Sequence, residues 1–153
     1  MSGSVNSGVV SNPFFARIWT VMSAHETEAL TRLRRENLDG LSGRVLEVGA
    51  GTGTNFAHYP STVAEVVAVE PEALLAEHAR TAAAAAPVPV RVTEQTVESL
   101  TDSEPFDAVV CSLVLCTVDD ADSVARQLFS VLRPGGQLRY MEHVASAGWR
   151  GGV

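Results

Sequence analysis

Gly49, Gly51 and Gly53, with one acid two residues ahead at Glu47 and another at Glu70, are the residues whose types and spacing point to chemistry. They stand in the run Arg44-Val-Leu-Glu-Val-Gly-Ala-Gly-Thr-Gly-Thr-Asn-Phe56. Glycine tolerates positive φ and has no Cβ, so a backbone built this way turns sharply and lies against a ligand. An acid about twenty residues on, at the tip of the next strand, is placed to accept hydrogen bonds from ribose hydroxyls. Together these features describe a cradle for a nucleotide-type cofactor. A dinucleotide fingerprint would put its third glycine, or an alanine, at position 54, where this chain has Thr54.

The elements that must position this cradle follow from the hydrophobic pattern. Pro13 to Arg35 reads as an amphipathic helix broken near Ser23, with Phe14, Ile18, Trp19 and Met22 on one side. That stripe serves either core packing or the covering of a cofactor or lining of an acceptor pocket. Val45–Val48 is a first strand, and a helix is expected after the glycine turn from about Asn55. A second strand spans Val63–Glu70, and Pro71 opens a helix through Ala86. Val88–Val92 is a third strand and Phe106–Leu115 a buried fourth. A helix over Asp119–Leu132 and the turn Arg133-Pro-Gly-Gly136 lead into a fifth strand, Gln137–His143. Strands alternating with helices imply an α/β fold with a doubly wound, mainly parallel sheet flanked by helices.

The chain of 153 residues suits one domain, with residues 1–12 a flexible start and 13–153 the folded unit. Its net charge of −7 argues against a nucleic-acid or anionic-membrane partner, and the cluster Arg32, Arg34 and Arg35 reads as a solvated helix face. All 11 basic residues are arginine. Cys111 and Cys116 fall where a strand would hold them too far apart to bridge, the cysteine usage of a reducing compartment. The start has neither the basic residues nor the apolar run of a signal peptide, and nothing approaches the roughly twenty apolar residues of a membrane span. A cytoplasmic protein is expected.

The glycine turn with Glu47, taken with Leu132-Arg-Pro-Gly-Gly136, resembles the Rossmann-like class of S-adenosylmethionine (SAM)-dependent methyltransferases. Tyr59-Pro60, Asp107-Ala-Val-Val-Cys-Ser-Leu-Val-Leu-Cys-Thr-Val118, Met141-Glu-His-Val144 and Asn12-Pro-Phe-Phe15 are similar to the thiol S-methyltransferases of the methyltransferase type 11 group. The resemblance covers roughly residues 12 to 146. It implies SAM as cofactor, no metal and a small-molecule acceptor. It places Gly49, Ala50, Gly51 and Gly53 along the methionine portion and Glu47 near its amino group, and it counts Asn55 among the cofactor-binding residues. Glu70 would hold the ribose and Pro71 would lie beside the adenine. Thr96, where aspartate is usual, and Val97 would meet the adenine edge, with Glu98 as a substitute acid. Cys111 and Ser112 would approach the carboxypropyl group through their backbone. The fold expected is short, lacking the usual C-terminal antiparallel strands, and so the fifth strand offers an edge through which two copies could pair.

Methyl transfer from a sulfonium is a direct displacement, so a protein contributes mainly orientation and exclusion of water. A thiol acceptor, with a pKa of about 8.5, needs only mild help from a base. His143 and Asp119 are the positions from which a base could reach the pocket; a structural hydrogen bond for His143 and a helix N-cap for Asp119 are the plainer readings. Cys116 reads as packing, and His25 and His58 as exposed helix residues. Three other readings stay open: O- or C-methylation of an aromatic or quinone-like acceptor, a SAM-binding module without turnover, and a nicotinamide-binding domain.

Overall fold

β-Branched and other apolar residues dominate three short runs of this chain, and in the computed structural model these become central strands buried on both faces. Residues 17, 20, 21, 24–101, 104–112 and 120–141 are described. The strands are β1 (Gly43–Val48), β2 (Val63–Val69), β3 (Val90–Thr93), β4 (Phe106–Ser112) and β5 (Leu132–Met141). They form one parallel sheet in the order β3-β2-β1-β4-β5. Every strand therefore ends at the same edge of the sheet, and the chain reverses direction outward at β1, between β2 and β4. In open sheets of this kind a ligand sits at that reversal, beyond the carboxyl ends of the strands.

Successive side chains of a strand face opposite ways, and here both sets are apolar. Val45, Val66, Ala68, Ala108 and Val110 pack toward Leu38, Leu41, Phe56 and Ala79. Leu46, Val67, Val69, Val109 and Cys111 pack toward Val97, Val124 and Leu128. Helices α1 (Glu28–Leu38) and α2 (Ala73–Ala84) thus cover one face, and α3 (Ala121–Val131) the other. The doubly wound parallel sheet expected from the sequence is borne out.

Several boundaries differ from expectation, each for a local reason. A break before α1 falls at 25–27, where Thr27 caps the helix by accepting from the Leu30 amide; Ser23 itself lies outside the described residues. No α-helix follows the glycine turn. Only the 3₁₀ turn Phe56–His58 forms, since Tyr59, ahead of Pro60, takes an extended conformation. The second helix starts at Ala73 instead of Pro71, with the Glu72 carboxylate accepting from the Leu75 amide. Asp120, not Asp119, is the N-cap of α3. β5 starts at Leu132, directly after α3, and its pairing with β4 jumps from Phe106↔Leu132 to Ala108↔Gln137. Residues 133–136 thus form an outward excursion within the strand. Asp107 staples that excursion, accepting from Arg133 Nη1 through one oxygen and from the Arg44 amide through the other. The N-terminal helical stripe through Phe14, Ile18, Trp19 and Met22, the last residues of the expected fourth and fifth strands, and everything beyond 141 lie outside the described residues.

Candidate functional site

The glycine turn leaves β1 at Val48 and is built on three positive-φ residues, Gly49 (67°), Gly51 (60°) and Gly53 (82°). Gly53 is also held by contact: a Cβ there would lie 2.7 Å from the Phe56 ring and 2.9 Å from Ala82 Cβ. The amides of the turn are directed into the protein. Those of Gly49 and Ala50 donate to Val69 O at 2.9 and 3.1 Å, that of Gly51 to Glu70 Oε2 at 2.8 Å, and that of Gly53 to Ala50 O at 3.0 Å. A pyrophosphate site needs such amides turned toward the ligand, with a helix N-terminus behind them. Here four amides are engaged and a single 3₁₀ turn follows, so the geometry disfavours a dinucleotide.

Glu70 stands just past β2, 6% exposed, where the Gly51 turn and the start of α2 meet. Its Oε2 accepts from Gly51 and its Oε1 from the Glu72 amide at 3.0 Å. A carboxylate oxygen can accept more than one hydrogen bond, so each retains capacity for a hydroxyl donor. Burial raises the Glu70 pKa; the two backbone donors oppose that shift, and the nearby Glu72 adds to it. A held, buried carboxylate with an open acceptor on each oxygen fits the neighbouring hydroxyls of a ribose.

Beneath the turn lies a second buried acid. Glu47, 2% exposed, accepts from Asn55 Nδ2 at 2.9 Å and from the Tyr59 hydroxyl at 2.7 Å. Asn55 Nδ2 also donates to Ser112 Oγ at 3.0 Å, and its Oδ1 accepts from Arg34 Nη1 at 3.1 Å. Desolvation pushes the Glu47 pKa up to about 7, against the lowering effects of Tyr59, Asn55 and Arg34. Burial, and then the Glu47 charge, push the Tyr59 phenol well above its ordinary range.

The raised Glu47 pKa has a measurable consequence. Its stabilising contribution is complete below the unfolded value of 4.5 and is lost as pH rises through about 7. A shift of that size corresponds to about 3 kcal/mol of stability lost across this window. Urea unfolding at the two ends of it should show that loss in the wild-type chain. In Glu47→Gln, which cannot ionise, the difference between the two ends should shrink by most of that amount. An equal pH dependence in both chains would show that Glu47 is not the titrating group.

The structure brings Glu47, Gly49, Ala50, Gly51, Gly53, Asn55, Glu70, Cys111 and Ser112 to one edge of the sheet. It does not turn all of them toward a ligand. The Asn55 side chain is committed to three protein partners, a correction to its expected place along the cofactor. Thr96 is tied to Ser99, its hydroxyl at 3.3 Å and its amide at 3.1 Å from Ser99 Oγ; both groups donate there, which leaves the hydroxyl oxygen able to accept. Val97 is buried in the core and Glu98 is exposed on the short turn they share. Pro71 is half-buried beside Glu70. His58 is half-buried, not exposed, and its pKa is lowered by burial and by Arg35. Asp119, Cys116 and His143 lie outside the described residues.

Two residues of the network were not anticipated. Arg34 is not part of a solvated face; it is 7% exposed and paired with Glu26. Its place in line with Leu30 and Leu38, one turn to either side on the inward stripe of α1, was the available signal. Tyr59 carried no periodic signal, because its partner Glu47 lies in another element. A separate cleft of about 190 Å³, lined by Ser42, Asp107, Arg133 and Gly136 among others, lies at the opposite, N-terminal edge of the sheet. It is not continuous with the cradle.

Comparison with known proteins agrees with this geometry. A methyltransferase-domain family matches residues 46–140. The chain is 35% identical over 144 residues to the mouse (Mus musculus) thiol S-methyltransferase TMT1B, covering 87% of this chain and 58% of that protein. It is 34% identical over 103 residues to a ubiquinone biosynthesis O-methyltransferase of Xanthomonas euvesicatoria, covering 66% of this chain and 43% of that protein. The fold matches a SAM-dependent methyltransferase from Thiobacillus denitrificans, solved with S-adenosyl-L-homocysteine, with a TM-score of 0.66 at 20% identity over 82% of this chain and 53% of that one. The chain spans less than two thirds of the length of each of these proteins.

Proposed function

Because this chain belongs to the methyltransferase-domain family, we propose that it transfers the methyl group of SAM to a small-molecule thiol. The observation that carries the reading is the Glu70 carboxylate, fixed by Gly51 and Glu72 with acceptor capacity left on both oxygens. In this reading Glu70 holds the ribose, Pro71 and Val97 border the adenine, and Gly49, Ala50, Gly51 and Gly53 follow the methionine chain. Glu47 faces its ammonium, and the backbone of Cys111 and Ser112 meets its far end. The bound cofactor supplies a methyl group already activated by a cationic sulfonium. The protein's share is to orient the acceptor and keep water out. His143 and Asp119 remain the proposed proton acceptors. In support, the described part of β5 ends at Met141, two residues before His143 and at the cradle end of the sheet, and Asp119 immediately precedes the α3 cap.

The thiol preference draws on the mouse relative, and the ubiquinone-pathway relative supports O-methylation as the alternative. Production of S-adenosylhomocysteine (SAH) from SAM, with a panel of alkyl thiols and phenols, separates them. Turnover with thiols should rise as pH approaches the thiol pKa of about 8.5. Faster turnover with phenols would replace this reading by O-methylation. Binding without turnover on any acceptor would mark a SAM-binding module.

The same reading takes residues 13–153 as one cofactor-binding domain. It places the protein in the cytoplasm and gives it no nucleic-acid partner, in keeping with a net charge of −7. No helix among the described residues is long and apolar enough to cross a membrane. Two copies would pair along β5, which is the sheet's edge among the described residues and carries the 62% exposed Tyr140.

A further inference from the structure

Arg34 has no part in the cofactor contacts proposed above, yet it is a buried guanidinium at the foot of the cradle. Its Nε donates to Glu26 and its Nη1 to Asn55 Oδ1. Asn55 in turn spends both N–H groups, one on Glu47 and one on Ser112. A primary amide keeps nearly the same shape when flipped, so packing alone does not fix which end is which. Arginine has donors and no acceptor, and thus tolerates only the Asn55 carbonyl. A flipped Asn55 would set its NH₂ against the guanidinium and its oxygen against the Glu47 carboxylate, in a buried site where such contacts are costly.

We infer that Arg34 is a positioning residue for the cofactor cradle: by fixing the Asn55 amide it aims Glu47 and Ser112 at the glycine turn from below. The inference deepens the SAM reading and rests on it for the ligand. The groups facing Glu47 are Asn55 of the turn, Tyr59 beyond it and, through Asn55, Arg34 of α1; Cys111 of β4 faces Tyr59. Arg34 is the cation among them, so its loss leaves the buried Glu47 carboxylate harder to ionise and less able to meet an ammonium group.

The test is calorimetric titration with SAH, from about pH 5.5 to 8.5, of the wild type, Arg34→Met and Arg34→Lys, beside a carbon-13 carboxyl titration of Glu47 in the ligand-free proteins. For Arg34→Met the expected result is a loss of about tenfold in affinity near neutrality and an upward move of about one pH unit in the Glu47 midpoint. Lysine, which restores the charge and a donor, should recover most of both. Should the methionine variant not fold, Arg34→Gln supplies the same comparison. A Glu47 midpoint unchanged in the folded variant overturns the inference, as does a loss of affinity that is equal at every pH and not rescued by lysine. If the wild type binds no SAH, the cofactor reading fails, and the ligand-free titration still decides the role of Arg34.

Discussion

Glu70→Ala is expected to weaken SAH binding by roughly tenfold to a hundredfold, the equivalent of about 1–3 kcal/mol for losing charge-assisted hydrogen bonds to two hydroxyls. The effect has two sources. The carboxylate is the acceptor proposed for the ribose, and it also holds the Gly51 amide at 2.8 Å and the Glu72 amide at 3.0 Å. Truncation removes the ligand contact and leaves two buried amides without their acceptor, which loosens the turn that the ligand lies on. Glu70→Gln separates the sources. It keeps one carbonyl acceptor but presents an NH₂ to one of the two amides, so binding should weaken while the fold is less disturbed. Calorimetry with SAH, beside near-ultraviolet circular dichroism to confirm native packing, reads both. Unchanged affinity in a natively packed alanine variant would mean that the ribose is not held at this residue.

Gly53→Ala is expected to be the more damaging change to stability, at about 3 kcal/mol or more. Positive φ costs a residue with a Cβ about 1–2 kcal/mol, and forcing a methyl group into a filled space costs about 1–3 kcal/mol more. The φ here is 82°, and the added Cβ would meet the Phe56 ring at 2.7 Å and Ala82 Cβ at 2.9 Å. Gly135 is the internal control. Its φ is 80°, yet an added Cβ would find nothing within 4 Å. Gly135→Ala should therefore cost only the backbone share, about 1–2 kcal/mol. Urea unfolding of the two variants gives the difference directly. Equal costs would show that Phe56 and Ala82 move aside freely and that close packing under the turn is unimportant.

What the sequence disclosed and what it withheld divide along the range of the interactions. The apolar runs at Val45–Val48 and Val63–Val69 and the glycine spacing are local patterns, and the strands and positive-φ turn they announce are present. Glu70 was legible because its distance from the turn is a property of the chain itself. The missing helix after the turn was partly legible: Tyr59-Pro60 stands only four residues beyond Asn55, which leaves room for one turn. Arg34 was misread because charge clusters on helices usually face water, and only its alignment with Leu30 and Leu38 said otherwise. The links from Asn55 to Ser112 and from Tyr59 to Glu47 join different elements, and no periodicity announces them. The engaged amides of the glycine turn, which speak against a dinucleotide, depend on the neighbouring strand end at Val69 and likewise had no trace in spacing.

The looped-out residues 133–136 uncouple the length of the chain from the alignment of the last strand. β5 pairs with Phe106 through Leu132 and regains its partners only at Gln137. Inside an uninterrupted strand, one added residue would exchange the inward and outward faces of everything after it. Added at Gly135, which has open space around it, the same residue would only enlarge a surface bend. Leu138 would still pack on the face that its partner Val109 shares, and Arg139 would still reach Asn37 at the end of α1 on the other. The site is thus a natural splice point: a short peptide tag inserted there should leave the cradle at the far edge of the sheet undisturbed.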